Sequence, residues 1–355
     1  MGKKSKKSAL QEVKGVEQNS HLNKSIIHKK GKEIVVEEFV EQILDGNRIF
    51  LSKAITLIES NNIKYFSKGQ EILRKLLAFA GHSVRIGITG VPGVGKSTFI
   101  ESLGKYYTNK GHKVAVLAID PSSSISKGSI LGDKTRMEEL SRDENAYIRP
   151  TASGNTLGGV ARKTRETIFL CEAAGFDKII IETVGVGQSE TMVHSMTDFF
   201  LLLKLAGAGD ELQGIKRGII EMADLIVINK AEGDNMNAAK LAQKAFQSAL
   251  HFYPPKENNW NPKVILASAL NHKGTKEIAS EIDEFIELTK SNHYFDKKRL
   301  EQDKYWLYES IKRQLETRFF QNKEVAEKLP ELLTKIENKE LTAFEASEIL
   351  LKKVR

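Results

Sequence analysis

The segment Gly90-Val91-Pro92-Gly93-Val94-Gly95-Lys96-Ser97 constrains this chain more than any other, because it joins an apolar run, residues 84–89, to a helix-compatible stretch, residues 98–107. A G-x-x-x-x-G-K-[ST] pattern between a strand and a helix is the signature of a phosphate-binding loop. Its glycines let backbone N–H groups turn inward as a nest, and the helix N-terminus adds partial positive charge. A polyphosphate held there would rest on the backbone from Gly90 to Thr98. Lys96 would lie on the β- and γ-phosphates, and Ser97 would ligate Mg2+.

The rest of the chain reads as a frame for that loop. Across residues 83–290, short β-rich apolar runs (84–89, 114–119, 178–181, 199–203, 225–228 and 264–266) alternate with helical stretches. Continuous apolar strands separated by helices predict an α/β fold, a mostly parallel sheet covered on both faces, in a three-layer α/β/α arrangement. Residues 35–82 read as an N-terminal helical segment. Val36, Phe39, Val40, Ile43 and Leu44 mark one helix face, Asp45-Gly46-Asn47 ends it, and residues 49–58 and 72–80 suggest two more helices. Beyond residue 291 the strands cease. Leu307, Ile311, Leu315 and Phe319 form an i+4 stripe, and Thr342-Ala343-Phe344-Glu345 is a capping box ahead of Ile349 and Leu350. These C-terminal helices, 291–355, would pack on the sheet or on a second subunit.

Composition excludes several classes. The chain has 355 residues, a net charge of +8, 28% charged and 40% hydrophobic positions, as in a soluble globular protein. No apolar run approaches the roughly 20 residues of a membrane span. The start lacks an apolar h-region, and no Arg precedes Arg48, so a cytoplasmic location is expected. Cys171 is the single cysteine and the eight histidines are scattered, which argues against a disulfide or a Cys/His metal centre. Residues 1–34 hold nine Lys against Glu12, Glu17 and Glu33, hence six of the eight charge units. Such a segment reads as a solvated disordered tail, with no nucleic-acid partner expected.

Further motifs address the base and the metal. Asn229-Lys230-Ala231-Glu232, after the run 225–228, resembles the N-K-x-D signature by which P-loop GTPases read guanine, with Glu in place of Asp. There a carboxylate accepts from guanine N1–H and N2–H2, which adenine does not offer. Ser268-Ala269-Leu270, after the run 264–266, is similar to the S-A-L loop of the same enzymes. Glu182-Thr183-Val184-Gly185 stands where most of them carry D-x-x-G, so Glu182 would hold Mg2+ through water and Gly185 would offer its N–H to the γ-phosphate. Asp120 and Asp133 are placed to contact Mg2+ or the attacking water, or else serve as solvated loop carboxylates or helix caps.

Four longer blocks resemble one family. Leu131–Met137, Thr156–Arg165, Glu182–Glu190 and Gly209–Lys216 closely match the MeaB (ArgK-type) GTPases associated with methylmalonyl-CoA mutase, and the likeness runs from about residue 35 to the C-terminus. The resemblance implies a metallochaperone-type GTPase, homodimeric through its C-terminal helices. It would bind the adenosylcobalamin-dependent mutase, gate cofactor loading by a cobalamin adenosyltransferase and protect the mutase from inactivation, the adenosylcobalamin staying on the partner. It implies switch I near Asp133, switch II at 184–190 and a third switch at 207–216. Catalytic and signalling roles then fall on Lys96, Asp120, Asp133, Glu182, Gln188 and Lys216.

The expected chemistry is in-line attack of water on the γ-phosphate of GTP, governed by positioning and electrostatics, slow alone and accelerated by the partner. Three rivals are weaker: a P-loop kinase or ATPase of a transport system, opposed by Asn229-Lys230; a signal-recognition-type GTPase, which needs a Met-rich domain; and a nickel carrier, which needs Cys or His ligands.

Overall fold

The structure, a computed structural model, describes residues 34–119, 136–150, 157–183, 189–206 and 217–353. Asp120, Asp133, Gly185, Gln188 and Lys216 lie outside the described residues, as do the basic tail, the core of the expected switch I and the third switch.

Seven strands form one parallel sheet: β1 Val84–Gly90, β2 Val114–Ile119, β3 Ala146–Pro150, β4 Lys178–Thr183, β5 Phe199–Leu205, β6 Leu225–Asn229 and β7 Lys263–Leu266. Their order is β3-β2-β4-β1-β5-β6-β7. The six expected strands are present. The seventh, β3, escaped the pattern because Ala146-Tyr147-Ile148-Arg149-Pro150 is not a continuous apolar run. It pairs only with β2, and an edge position tolerates a proline that cannot donate to a ladder.

Strand alternation sends apolar residues into two layers. Ile86, Ile88, Leu201, Leu203 and Val227 face Phe99, Leu103 and Tyr107 of the helix Lys96–Asn109, and Ile278, Ile282 and Phe285 of the helix Thr275–Ser291. Leu202, Ile226 and Ile228 point the other way, onto Ala239, Ala242 and Phe246 of the helix Met236–Leu250. The central strands are therefore apolar on both faces, which is why they read as runs.

Before the sheet, the described residues form three helices, Val36–Leu44, Arg48–Glu59 and Ile63–Leu76, the last two capped by the side chains of Asn47 and Asn62. The third differs from the 72–80 expectation. Its first turns expose Ile63 and Tyr65 and bury nothing before Gly69, so no stripe marks its start, and residues 77–79 continue as a 3-10 turn. After the sheet, the 28-residue helix Tyr294–Gln321 buries only Phe295 and Gln302. The helices Lys323–Glu337 and Ala343–Lys352 then build a small core around Val325, Leu332, Ala346 and Leu350. Thr342 and Glu345 form the expected capping box.

Candidate nucleotide site

The phosphate loop runs from the C-terminal end of β1 into the helix Lys96–Asn109. A Cβ on Gly90 would stand 2.6 Å from the Leu203 carbonyl, so this turn admits only glycine. Gly93 and Gly95 have φ of +80° and +91°, the left-handed region that glycine enters without steric cost. The loop thereby leaves open space outside Gly93, where an added Cβ meets nothing within 4 Å.

Lys96 is buried at 8% exposure, and its ammonium donates to the carbonyls of Gly90 at 2.9 Å and Val91 at 3.2 Å. Burial pushes the ammonium below the usual lysine range, while the carboxylates of Glu182 and Glu190 pull it back up. Glu182 sits near the end of β4, in register with Ile88 of β1 and Ala118 of β2, and is itself buried. Glu190, buried on the helix Ser189–His194, closes one of the family-like blocks, yet no motif marks it as a site residue. Its electrostatic hold on Lys96 depends on the fold rather than on sequence spacing.

The base side is built from β6 and β7. Asn229, almost fully buried at the end of β6, donates its amide to the Val94 carbonyl at 2.9 Å and accepts from the Ala269 N–H at 3.2 Å. Lys230 adopts φ +58° and lays its ammonium on the Gly93 carbonyl at 2.9 Å. Asn235 donates to the Lys230 carbonyl at 2.7 Å and supports that turn, a contact that no motif announces. Ala231 N–H donates to Ala267 and Ala267 N–H to Ile228, so the two strand ends are stitched together. Ser268, Ala269 and Leu270 follow as a tight loop, with Ser268 and Ala269 buried and Leu270 exposed.

Gly90 to Thr98, Asn229, Lys230, Glu232 and Ser268 to Leu270 thus share the C-terminal edge of the sheet, with Glu182 beside the loop. One observation bears on what this edge could receive. Glu232 Oε2 is buried and has no hydrogen-bond partner among the described residues, an acceptor awaiting a donor.

A parallel sheet with a phosphate loop at its carboxyl edge and an N-K-x-E turn beside it defines a P-loop GTPase. The chain belongs to the MeaB family, described as methylmalonyl-CoA mutase-associated GTPase, whose model matches residues 51–324. Among its relatives, GTPase ArgK of Escherichia coli is 42% identical over 310 residues, covering 87% of this chain and 94% of that one. A mouse relative, methylmalonic aciduria type A homolog, mitochondrial, is 43% identical over 339 residues, covering 92% and 82%. The crystal structure of a protein described as LAO/AO transport system kinase superposes with a TM-score of 0.74 at 34% identity, covering 91% of this chain and 99% of that one. Guanine-nucleotide binding and GTP hydrolysis come with the family.

Proposed function

We propose that this GTPase serves an adenosylcobalamin-dependent acyl-CoA mutase in the cytoplasm, methylmalonyl-CoA mutase first among the candidates. It gates loading of the cofactor from a cobalamin adenosyltransferase and protects the mutase from inactivation. The family description, mutase-associated, is the observation that carries this reading. Among the described residues no helix is long and apolar enough to cross a membrane.

In this reading Lys96 leaves its two carbonyls for the β- and γ-phosphates and neutralises charge developing in the transition state. Its ammonium is already stripped of water by burial, so a polyanion that meets it there pays little further desolvation. Ser97 and Glu182, together with Asp120 and Asp133, hold Mg2+, which supplies charge neutralisation at the phosphate oxygens. Glu232 accepts from the guanine edge, Asn229 fixes the turn, and Lys230 covers the ring. Gln188 orients water, Gly185 reports the γ-phosphate, and Lys216 relays nucleotide state through the third switch. The C-terminal helices form a homodimer, supported by the exposed stripe on the helix Tyr294–Gln321.

The test is capture of a purified candidate mutase with GDP or with a non-hydrolysable GTP analogue, followed by the GTPase rate with and without it. Nucleotide-dependent capture and an accelerated rate are expected. Capture indifferent to nucleotide would remove the chaperone role and leave a GTPase. A transport-linked kinase is a second reading, favoured by the likeness to the LAO/AO transport system kinase structure. ATP outcompeting GTP would support it.

A further inference from the structure

The loop that follows β7 is tied to the phosphate helix by side chains that none of the nucleotide motifs include. Ser102, buried on the helix Lys96–Asn109, places Oγ 3.0 Å from His272 Nδ1 and 2.9 Å from Thr275 Oγ1. His272 closes the loop that begins at Ser268, and Thr275 opens the next helix. Ser268 and Lys273 exchange backbone hydrogen bonds at 3.0 Å, and Asn271 N–H returns to Ser268 O at 3.2 Å. A Cβ on Gly274 would meet the Leu266 carbonyl at 2.6 Å, so the loop's exit is fixed as well.

His272 has φ +52°, a conformation that costs a non-glycine residue free energy and persists only where surroundings enforce it. Its ring is the group that reaches the phosphate helix. With Nδ1 accepting, Ser102 donates to His272 and accepts from Thr275, so the single serine proton satisfies one partner and its lone pair the other. The same loop presents Ala269 N–H to Asn229, whose amide holds Val94 of the phosphate loop. Base loop and phosphate loop are therefore joined twice, once through Asn229 and once through Ser102.

We propose that His272 is a positioning residue for guanine-nucleotide binding: its bond to Ser102 clasps the 268–273 loop to the phosphate helix, so that base and phosphate contacts form on one rigid frame. This rests on the assignment of that loop to the base. The clasp acts on binding, not on the chemical step, and it needs a hydrogen-bonding atom at the Nδ1 position on a residue that accepts positive φ.

Asparagine supplies both, since its side-chain amide offers a donor or an acceptor at a similar place and it enters the left-handed region readily. Glycine supplies only the conformation. His272→Gly is expected to weaken binding of a fluorescent GDP analogue about five- to tenfold, the loss of one hydrogen bond. His272→Asn is expected to restore it. Both variants keep kcat at saturating GTP, raise or restore KM accordingly, and bind tripolyphosphate, which has no base, as the parent does. Equal GDP affinity in His272→Gly and parent would overturn the clasp, and so would a parallel loss of tripolyphosphate binding, which marks a general distortion. A parent protein that binds tripolyphosphate but does not prefer GDP over ADP overturns the base-site assignment itself.

Discussion

Asn229 Nδ2 donates to the Val94 carbonyl at 2.9 Å, so a strand-end side chain of the base motif holds the middle of the phosphate loop. The same amide accepts from Ala269 N–H at 3.2 Å. Asn229→Ala strands both buried partners, each costing about 1–3 kcal/mol when left unpaired. We expect GDP affinity to fall about tenfold or more by calorimetric titration. Asn229→Asp keeps the acceptor but sets a carboxylate against the Val94 carbonyl, and should bind at least as poorly. Parent-like binding by either variant would refute the tie.

Glu232 offers a buried oxygen with no partner among the described residues. If guanine supplies that partner, Glu232→Gln loses the charge-assisted bonds to N1–H and N2–H2, and selectivity over adenine falls by about 1.5–3 kcal/mol. Competition of ATP against fluorescent GDP reads this directly. Unchanged selectivity would show that the carboxylate does not meet the base.

On the helix Tyr294–Gln321, Leu307, Ile311 and Leu315 are 59%, 44% and 60% exposed. Phe319, the fourth member of the expected stripe, instead packs into the small C-terminal core. Three large aliphatic residues at i+4 spacing on a solvent face suit a second copy of this chain. We expect Leu307→Glu/Ile311→Glu to convert a dimer to a monomer in light scattering while GDP binding is kept. A monomeric parent at micromolar concentration would count against the homodimer.

These relationships also separate what was legible in the sequence from what was not. The phosphate loop, Asn229-Lys230 and the 268–270 loop could be read because each is a contiguous motif at the end of an apolar strand, and the parallel sheet brings such ends to one edge. Strand β3 was hidden because an edge strand needs no apolar run. The start of the helix Ile63–Leu76 was hidden because it buries nothing there. Glu190, Asn235, Ser102 and His272 carry no local pattern. They matter through partners 5 to 170 positions away, which only the fold supplies.

His194 gives the fold an acid-sensitive point. Burial lowers its imidazole from 6.5 to about 4, Lys298 and Lys256 add to the fall, and Asp224 opposes it. The folded state therefore holds His194 neutral, while an unfolded chain takes up the proton near pH 6.5. Below that pH the unfolded state gains protons that the native state refuses, so stability declines from about pH 6.5 toward pH 4, by up to roughly 3 kcal/mol from this group. The ring also packs edge-on against Phe200, with centroids 5.4 Å apart. His194→Phe should keep that packing and flatten the decline, measured as urea-unfolding free energy from pH 7.5 to 4.5. A decline of the same slope in His194→Phe would assign the acid sensitivity to other groups.

Arg299 anchors the helix Tyr294–Gln321 to the amino edge of the sheet. Its Nε and Nη2 reach the two oxygens of Asp198 at 2.8 and 2.7 Å, and Nη2 also donates to the Ser83 carbonyl at 2.7 Å. Asp198 further accepts from the Arg85 N–H at 2.8 Å. Burial alone would raise this carboxyl, but Arg299 and Arg85 outweigh it and hold it below the usual carboxylate range. Removing the guanidinium leaves a buried charge without its partner, a loss of about 3–5 kcal/mol, whereas removing both members costs less. We therefore expect Arg299→Met to destabilise strongly and Asp198→Asn/Arg299→Met to recover part of the loss in urea unfolding. Hydrogen exchange across residues 294–321 should rise in the single variant ahead of exchange in β1 and β5, because the ion pair is the charged member of a set of ties to the sheet edge that also includes Lys298 to the Asp198 carbonyl and Gln302 to the Thr197 carbonyl, each at 2.8 Å. An Arg299→Met protein with parent stability and unchanged exchange would show that the helix is held by its packing and by the remaining bonds of Lys298, Gln302 and Trp306.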